Sequence, residues 1–156
     1  KVDDFYTSGL GLPLENNTIP GWTIAPTLQD NKVTLNTTGE GHSIGRIQLR
    51  DDQQSDVYEW RILFDSESIN EVVIPQLPEQ FQDRPLFALY DANAFTLLQA
   101  EISRFEGVTN YEDYLIEIVK ENRNVETSTD KKETIFYAGF PFHFEFHDFI
   151  FDDVYK

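Results

Sequence analysis

The sequence predicts an all-β protein, a single domain over residues 1–156 built as a two-sheet antiparallel β-sandwich. Short runs rich in β-branched and aromatic residues alternate apolar with polar positions, which is typical of half-buried strands. Clusters of Gly, Pro, Asn and Asp separate these runs at intervals of about 8 to 12 residues, as in sandwiches and barrels. No window longer than about ten residues has helical apolar spacing without an internal Pro or Gly.

Ten strands are predicted, at residues 22–26, 32–37, 43–49, 57–64, 70–74, 85–90, 96–105, 114–121, 133–140 and 142–155. Turn residues bound several of them: Gln-Asp-Asn at 29–31 precedes the second, and Asp-Ala-Asn at 91–93 follows the sixth. Pro75 and Pro78 end the fifth strand, because proline cannot donate to a sheet ladder. The polar stretch 122–132 is long enough for a hairpin loop before the ninth strand.

Alternation within two of these strands indicates which side chains face the core. In residues 57–64 one face is apolar and is predicted to be buried; it carries Tyr58, Trp60, Ile62 and Phe64. In residues 114–121, Tyr114, Ile116 and Ile118 alternate with a more polar set. We interpret the second pattern as a half-buried strand and not as a helix.

Charge excludes two classes of partner. The chain has 28 acidic residues against 12 Lys and Arg, a formal net charge of -16, and it contains no cluster of basic residues. Such a field repels nucleic-acid phosphates and anionic lipid surfaces, so neither is expected as a partner. Hydrophobic residues at 40% and aromatics at 14% nevertheless indicate a folded chain. The absence of Cys removes disulfides, thiolate nucleophiles and Cys-ligated metals.

The start of the chain suggests processing. It begins at Lys1 and contains no Met, so we expect that an N-terminal piece was removed. Signal cleavage on export is one explanation, which predicts a secreted, periplasmic or cell-surface attached protein. No run approaches the roughly 18 apolar residues of a membrane helix, so no transmembrane segment is expected in this sequence.

One predicted strand face could bind a transition metal. Alternation places His143, Glu145 and His147 on one face of strand 142–155 and three Phe on the other. Imidazole and carboxylate together suit Zn, Fe, Mn or Cu. The two histidines would be about 13 Å apart on a straight strand, so a site would need a bend and a further donor such as His42. The alternative is a solvated polar face above a Phe core.

Acidic doublets could supply oxygen ligands to calcium. None matches the spaced calcium loop of helix–loop–helix proteins, so each can equally be solvated surface charge. The doublets are Asp51-Asp52 with Asp56, Asp65 with Glu67, Glu112-Asp113, and Asp152-Asp153.

Aromatic residues beside polar ones suggest carbohydrate binding, because sugars stack on aromatic faces while polar side chains bond their hydroxyls. Six residues near predicted loops or strand starts are the candidate ligand-binding set: Trp22, Tyr90, Asp91, Tyr111, Glu112 and Asp113. The alternative for each aromatic is a place in the hydrophobic core.

Motifs of common enzymes are missing from the sequence. It has no G-x-S-x-G and no Gly-rich phosphate loop. The alternating carboxylates of laminarinase-like glycosidases are also missing, since Val119 separates Glu117 from Glu121. A non-catalytic role is therefore favoured.

Two short motifs carry a family resemblance. Residues 19–23 read Ile-Pro-Gly-Trp-Thr, and residues 149–154 read Phe-Ile-Phe-Asp-Asp-Val. The pair resembles the opening and closing strands of bacterial extracellular jelly-roll modules of the adhesin and concanavalin A-like type. This resemblance implies a secreted or surface-attached sandwich that binds glycans or other surface molecules, often with calcium. A rival resemblance, of residues 109–111 to the lipocalin T-D-Y motif, is weakened because Gly21-Trp22 departs from the lipocalin G-x-W.

Three functional hypotheses follow from these patterns. The leading one is a non-catalytic extracytoplasmic module that binds carbohydrate or another cell-surface ligand, with calcium as a candidate stabilising ion. The second is a metal-dependent or glycan-degrading enzyme that uses the face of His143, Glu145 and His147. The third is a structural or assembly protein without a small ligand, or a lipocalin-like carrier.

Overall fold

The computed structural model describes residues 4–8, 18–51, 58–120 and 132–138. Its strands are all paired antiparallel, which confirms the all-β prediction. They are β1 (Asp4–Ser8), β2 (Thr23–Ile24), β3 (Thr27–Gln29), β4 (Lys32–Thr34), β5 (Thr37–Thr38), β6 (Ile44–Asp51), β7 (Tyr58–Asp65), β8 (Glu71–Val73), β9 (Thr96–Phe105) and β10 (Lys132–Ala138). The helical segments are α1 (Glu79–Gln82), a 3₁₀ turn (Pro85–Phe87), α2 (Tyr111–Tyr114) and a π-helical segment (Leu115–Lys120).

The described strands form three sheets, and none of the three closes on itself. The largest has five strands in the order β1-β10-β9-β6-β7, while β2 pairs with β5 and β4 lies between β3 and β8. In the large sheet, Ile47 of β6 is opposite Ala100 of β9 on one side and Ile62 of β7 on the other. The β6–β9 register shifts between Gln48 and Leu49, which indicates a bulge.

One face of the large sheet shares a hydrophobic core with the small sheets. The core cluster includes Ile47 and Ala100 from the large sheet, Ile24 from β2 and Val33 from β4, each no more than 1% exposed. The small sheets are only two or three residues long per strand, too short to be stable alone. Burial against the large sheet therefore stabilises them.

The opposite face of the large sheet is polar along much of its length. Gln99, Glu101 and Ser103 of β9 are all buried there. A second, smaller hydrophobic cluster lies on this face, where Tyr114 of α2 packs with Ile44 and Phe105. The helical segment after β9 thus contacts the face that does not carry the main core.

The prediction for residues 57–64 is confirmed. Strand β7 covers Tyr58–Asp65, and Phe64 is buried in the core cluster. Tyr58, Trp60 and Ile62 are partly buried and pack against the same cluster. The predicted strand at 96–105 coincides with β9.

Two predicted strands are wrong, and the first is residues 85–90. This segment begins with the 3₁₀ turn Pro85–Phe87, in which the Ala88 N–H bonds to the Pro85 carbonyl at 3.3 Å and the Tyr90 N–H to the Phe87 carbonyl at 3.1 Å. Pro85 at the first helical position has the backbone angle that a helical turn needs, and its missing N–H costs nothing there.

The second wrong prediction is the strand at 114–121, which is helical up to Lys120. Asn110 is the N-cap: its side-chain oxygen accepts the Asp113 N–H at 2.9 Å. This cap starts the helix, and packing of Tyr114 on Ile44 and Phe105 stabilises it. The alternation of apolar residues in this segment predicts a strand, but the N-cap and the packing of Tyr114 favour the helix that is observed.

Smaller differences occur elsewhere in the described part of the chain. The strand predicted at 22–26 ends at Ile24, and a separate strand begins at Thr27 after Pro26. Strand β1 was not predicted from the sequence. The predicted strand 142–155 lies outside the described residues. Among those residues, the helices are all too short or too polar to cross a lipid bilayer.

Candidate ligand-binding site

A depression of about 390 Å³ lies where β9 ends, lined by residues 104–109 and Glu133. The chain turns there at Gly107, whose φ of +84° is a conformation that favours glycine. The Val108 N–H bonds back to the Phe105 carbonyl at 3.2 Å and closes this turn. The depression is therefore formed by a strand end, a tight turn and the first residues of the neighbouring strand β10.

An ion pair lies on one side of the depression. Arg104 and Glu133 are directly opposite each other in the β9–β10 register. The Arg104 Nε donates to Glu133 Oε2 at 2.9 Å, and its terminal nitrogen donates to the same oxygen. The Glu133 side chain is only 7% exposed, whereas that of Arg104 is 49% exposed. The guanidinium is therefore bound to the largely buried Glu133 carboxylate and remains accessible to solvent.

Trp22 lies beneath this guanidinium. Its ring centroid is 5.3 Å from Arg104 Cζ, within cation–π range. The indole N–H donates to the Glu40 carbonyl at 2.8 Å, and the ring is 6% exposed. Gly39 adopts φ of +92° against the indole, where a Cβ would come within 2.8 Å of it. Trp22 therefore supports Arg104 from the core and has no exposed face for direct sugar stacking.

The segment Tyr111–Asp113 borders the depression through Thr109. The Thr109 hydroxyl donates to the Asp113 carboxylate, which also accepts from Asn110 Nδ2 at 3.0 Å. Tyr111 is half-buried and stacks on Tyr114 with centroids 6.2 Å apart. Burial raises the pKa of Tyr111 above its ordinary value, so its hydroxyl is neutral at physiological pH. Glu112 is exposed.

Tyr90 and Asp91 lie elsewhere. The Tyr90 hydroxyl accepts from Trp60 Nε1 at 3.0 Å and donates to the Pro75 carbonyl at 2.5 Å. Asp91 accepts from its neighbour Asn93 at 2.9 and 3.0 Å, from the backbone and the side chain. Neither residue lines the depression. The hydrogen bonds of Tyr90 and Asp91 stabilise the segment between β8 and β9.

His42 is buried beside Trp22. Its Nδ1 is 2.8 Å from the Ser66 hydroxyl, and its ring meets the Trp22 ring edge to face at 5.7 Å. Burial lowers the pKa of His42, although the nearby carboxylates of Glu67 and Asp65 oppose this effect. Ser66 is 1% exposed, so this Ser–His pair is closed to substrate and is a structural contact.

No group of three or more His, Cys, Asp or Glu side chains that could hold a metal ion occurs among the described residues. The predicted metal ligands His143, Glu145, His147, Asp152 and Asp153 lie outside them. His42, suggested as an additional donor, uses its Nδ1 to contact Ser66.

A buried ionic cluster lies on the polar face of the sheet. Glu101 Oε2 is 2.7 Å from Arg46 Nη2, and Glu101 Oε1 is 3.6 Å from Lys132 Nζ. Gln99 Nε2 also donates to Glu101 at 3.2 Å. Burial alone would raise the pKa of Glu101, but the positive charges of Lys132 and Arg46 hold it below the ordinary value. This carboxylate is therefore ionised inside the protein.

The sequence did not identify Arg104 or Glu133 as site residues. Their pairing depends on the β9–β10 register across a long connection, which local pattern does not specify. The one local signal was Arg104 near the end of a strand, three residues before Gly107. Comparison with known proteins adds no assignment: the chain matches no protein-family model, no curated protein and no solved structure.

The Asn110 cap beside the depression leads to a first prediction. Asn110→Ala is expected to lower the free energy of unfolding by about 1 kcal/mol, because the Asp113 N–H loses its acceptor. Asn110→Ser, whose hydroxyl can accept the same bond, should retain most of that stability. Urea denaturation measures both variants. Equal losses in the two would show that the cap does not account for the effect.

Proposed function

We propose that this chain is a non-catalytic β-sandwich module that binds a carbohydrate or another cell-surface ligand at the depression beside Arg104. The observation that carries the proposal is the composition of this depression. It is lined by Arg104, by the acidic residues Glu106 and Glu133, and by Thr109 beside apolar Val108. A small number of convergent polar groups next to apolar surface is typical of small-ligand sites.

Two of the six predicted ligand-binding residues contact residues that line this depression, which supports the proposal. Trp22 supports Arg104 from below, and Asp113 accepts from Thr109. Carbohydrate hydroxyls both donate and accept hydrogen bonds, so they match a site that offers a cation and carboxylates together. A nucleic acid would not fit a protein with a formal charge of -16.

The proposed architecture is a two-layer sandwich, with the five-stranded sheet as one layer and the small sheets contributing to the other. The core shared by Ile47, Ala100, Ile24 and Val33 supports this arrangement. The resemblance of residues 19–23 and 149–154 to extracellular jelly-roll modules supports an extracytoplasmic location, secreted, periplasmic or attached to the cell surface. Calcium remains a candidate stabilising ion in this proposal.

A glycan array followed by isothermal titration tests the binding function. We expect at least one glycan to bind, and Arg104→Ala to weaken that glycan's affinity by about 10- to 100-fold, as loss of a charged hydrogen bond does. Arg61→Ala is the matched control, because Arg61 is a partly exposed arginine on β7 that does not line the depression.

The same titrations are run with added Ca²⁺ and with chelator, and circular dichroism checks that each variant is folded. An array without binding in either condition would contradict the proposed function. Equal affinity in wild type and a folded Arg104→Ala would contradict the assignment of the site.

A further inference from the structure

Strand β7 forms one edge of the five-stranded sheet. The strand order of that sheet is β1-β10-β9-β6-β7, and among the described residues no further strand pairs with β7. The strand is eight residues long and contains neither Pro nor Gly, the residues that commonly interrupt a strand. An edge of this kind presents a row of backbone N–H and C=O groups that can pair with another strand.

The pairing of β7 with β6 shows which residues point their backbone groups outward. The register of this pair is regular along the whole of β7. One residue beyond it, the Ser66 N–H donates to the Ser43 carbonyl at 3.3 Å. Because hydrogen-bonded positions alternate in an antiparallel pair, the even-numbered residues of β7 bond to β6. The backbone groups of Glu59, Arg61 and Leu63 therefore point to the outer edge.

Two opposite charges lie along this edge. Glu59 and Arg61 share one face of β7, and their side chains are 30% and 42% exposed. Within one chain they form an ion pair at 2.5 Å, which solvent screens. When β7 lies antiparallel to β7 of a second copy, with Trp60 on the two-fold axis, Glu59 of each copy lies opposite Arg61 of the other. The strand is therefore self-complementary in charge.

Other registers do not pair these charges. Residues whose backbone groups point outward can face only one another, so the axis must pass through a residue of β7. An axis at Glu59 or Arg61 would place that residue opposite its own copy, like charge against like. An axis at Tyr58 would place neither charge opposite the other. An axis further along β7 would include Asp65, whose carbonyl already accepts the Ile69 N–H at 2.9 Å.

The apolar face of β7 agrees with the same register. Tyr58, Trp60 and Ile62 pack on the core but are only half-buried. In the two-fold pair Trp60 lies beside its own copy and Tyr58 beside Ile62, and aromatic–aromatic and aromatic–β-branched pairs stabilise neighbouring strands. At the other edge of the sheet, β1 has Asp4 as its only charged residue, so it has no such complementarity with itself.

We propose that two copies of this chain associate through β7, with Glu59 of each copy opposite Arg61 of the other, so that one continuous sheet runs through both molecules. Such an interface is isologous, as in the commonest class of protein dimer. The formal charge of -16 on each copy opposes association, so the dimer is weak and dilute protein is monomeric. Strand β6 separates β7 from β9, so the pairing leaves both depressions open.

Sedimentation velocity over a range of protein concentrations tests the association. We expect the weight-average sedimentation coefficient of the wild type to rise with concentration. Glu59→Arg and Arg61→Glu should each raise the dissociation constant at least about 10-fold, because each places like charges opposite each other twice. The exchange of both residues, Glu59→Arg with Arg61→Glu, should restore the wild-type dissociation constant to within about threefold.

Net charge provides an internal control. Glu59→Arg makes the chain less negative and Arg61→Glu makes it more negative, so a general charge effect would shift the two dissociation constants in opposite directions. Circular dichroism checks that each variant is folded. A wild type that is monomeric at every concentration, opposite shifts in the two single variants, or no recovery in the exchanged variant would each overturn the proposal.

Disulfide trapping tests the register separately. The chain contains no Cys, so Glu59→Cys and Arg61→Cys each introduce a single thiol. Directly opposed hydrogen-bonded residues have Cα atoms about 5.5 Å apart, within the range of a disulfide. Oxidation of an equimolar mixture should therefore give mixed dimers in large excess over the random proportion, while each variant alone cross-links poorly. Random proportions would overturn the register. No readout contains a ligand, so these results are independent of glycan binding.

Discussion

Glu101→Gln is expected to lower the free energy of unfolding by about 3 to 5 kcal/mol, the cost of removing one member of a buried ionic cluster. The Glu101 side chain is 4% exposed and contacts Arg46 at 2.7 Å and Lys132 at 3.6 Å. Arg46 and Lys132 are themselves only 14% and 15% exposed. Without this carboxylate, two largely buried cations face each other with no anion between them.

Urea denaturation of wild type and variant measures this loss, and Glu59→Gln is the control. Glu59 forms the same kind of contact with Arg61 at 2.5 Å, but the two side chains are 30% and 42% exposed. Solvent screens that pair, so its loss should cost no more than about 1 kcal/mol. Similar losses in the two variants would contradict the role assigned to burial.

The pH dependence of stability also distinguishes Glu101→Gln from the wild type. The folded pKa of Glu101 lies below its ordinary value of 4.5, so the ionised group stabilises the fold above that pH. This contribution is lost as the pH falls through the folded pKa. Stability of Glu101→Gln should therefore decrease less steeply on acidification than that of the wild type.

Gly45→Ala is the second substitution with a large expected effect. Gly45 lies in β6 directly opposite Phe64 of β7, and a methyl group at Gly45 would overlap the Phe64 ring. Phe64 is 6% exposed within the core and has little room to move. We expect a loss of about 1 to 3 kcal/mol, the range found for overpacked cores.

Two further variants isolate the steric cause. Gly21→Ala adds the same methyl where no atom lies within 4 Å, so it should change stability by no more than about 0.5 kcal/mol. In the background of Phe64→Val, which removes the ring, the cost of Gly45→Ala should shrink in a double-mutant cycle. Additive costs in that cycle would show that the ring is not the obstacle.

Strand β9 has the bounds predicted for it, because a ten-residue run without Pro or Gly presents a strong period-two signal. Residues 114–121 carried the same kind of signal and are helical up to Lys120. The overlooked signal was Asn110 three residues before Asp113, a spacing typical of an N-cap.

The candidate site was predicted only in part. Trp22 and Asp113 were singled out by residue type, and both border the depression through Arg104 and Thr109. The burial of Trp22 was not predictable, since it depends on packing by Gly39, His42 and Arg104. Tyr90 and Asp91 looked equally suitable, but their polar atoms are used to brace a loop.

The sequence by itself determined the class of the fold, the antiparallel strands and the formal net charge of -16, because alternation, turn residues and charge are local or additive properties. Tertiary structure alone decided that Arg104 faces Glu133, that Arg46 and Lys132 share Glu101, and that His42 contacts Trp22. Each of these contacts joins residues distant in the chain through strand register or packing. A shift of one residue in either register would reverse the faces of these side chains, so no local pattern could specify them.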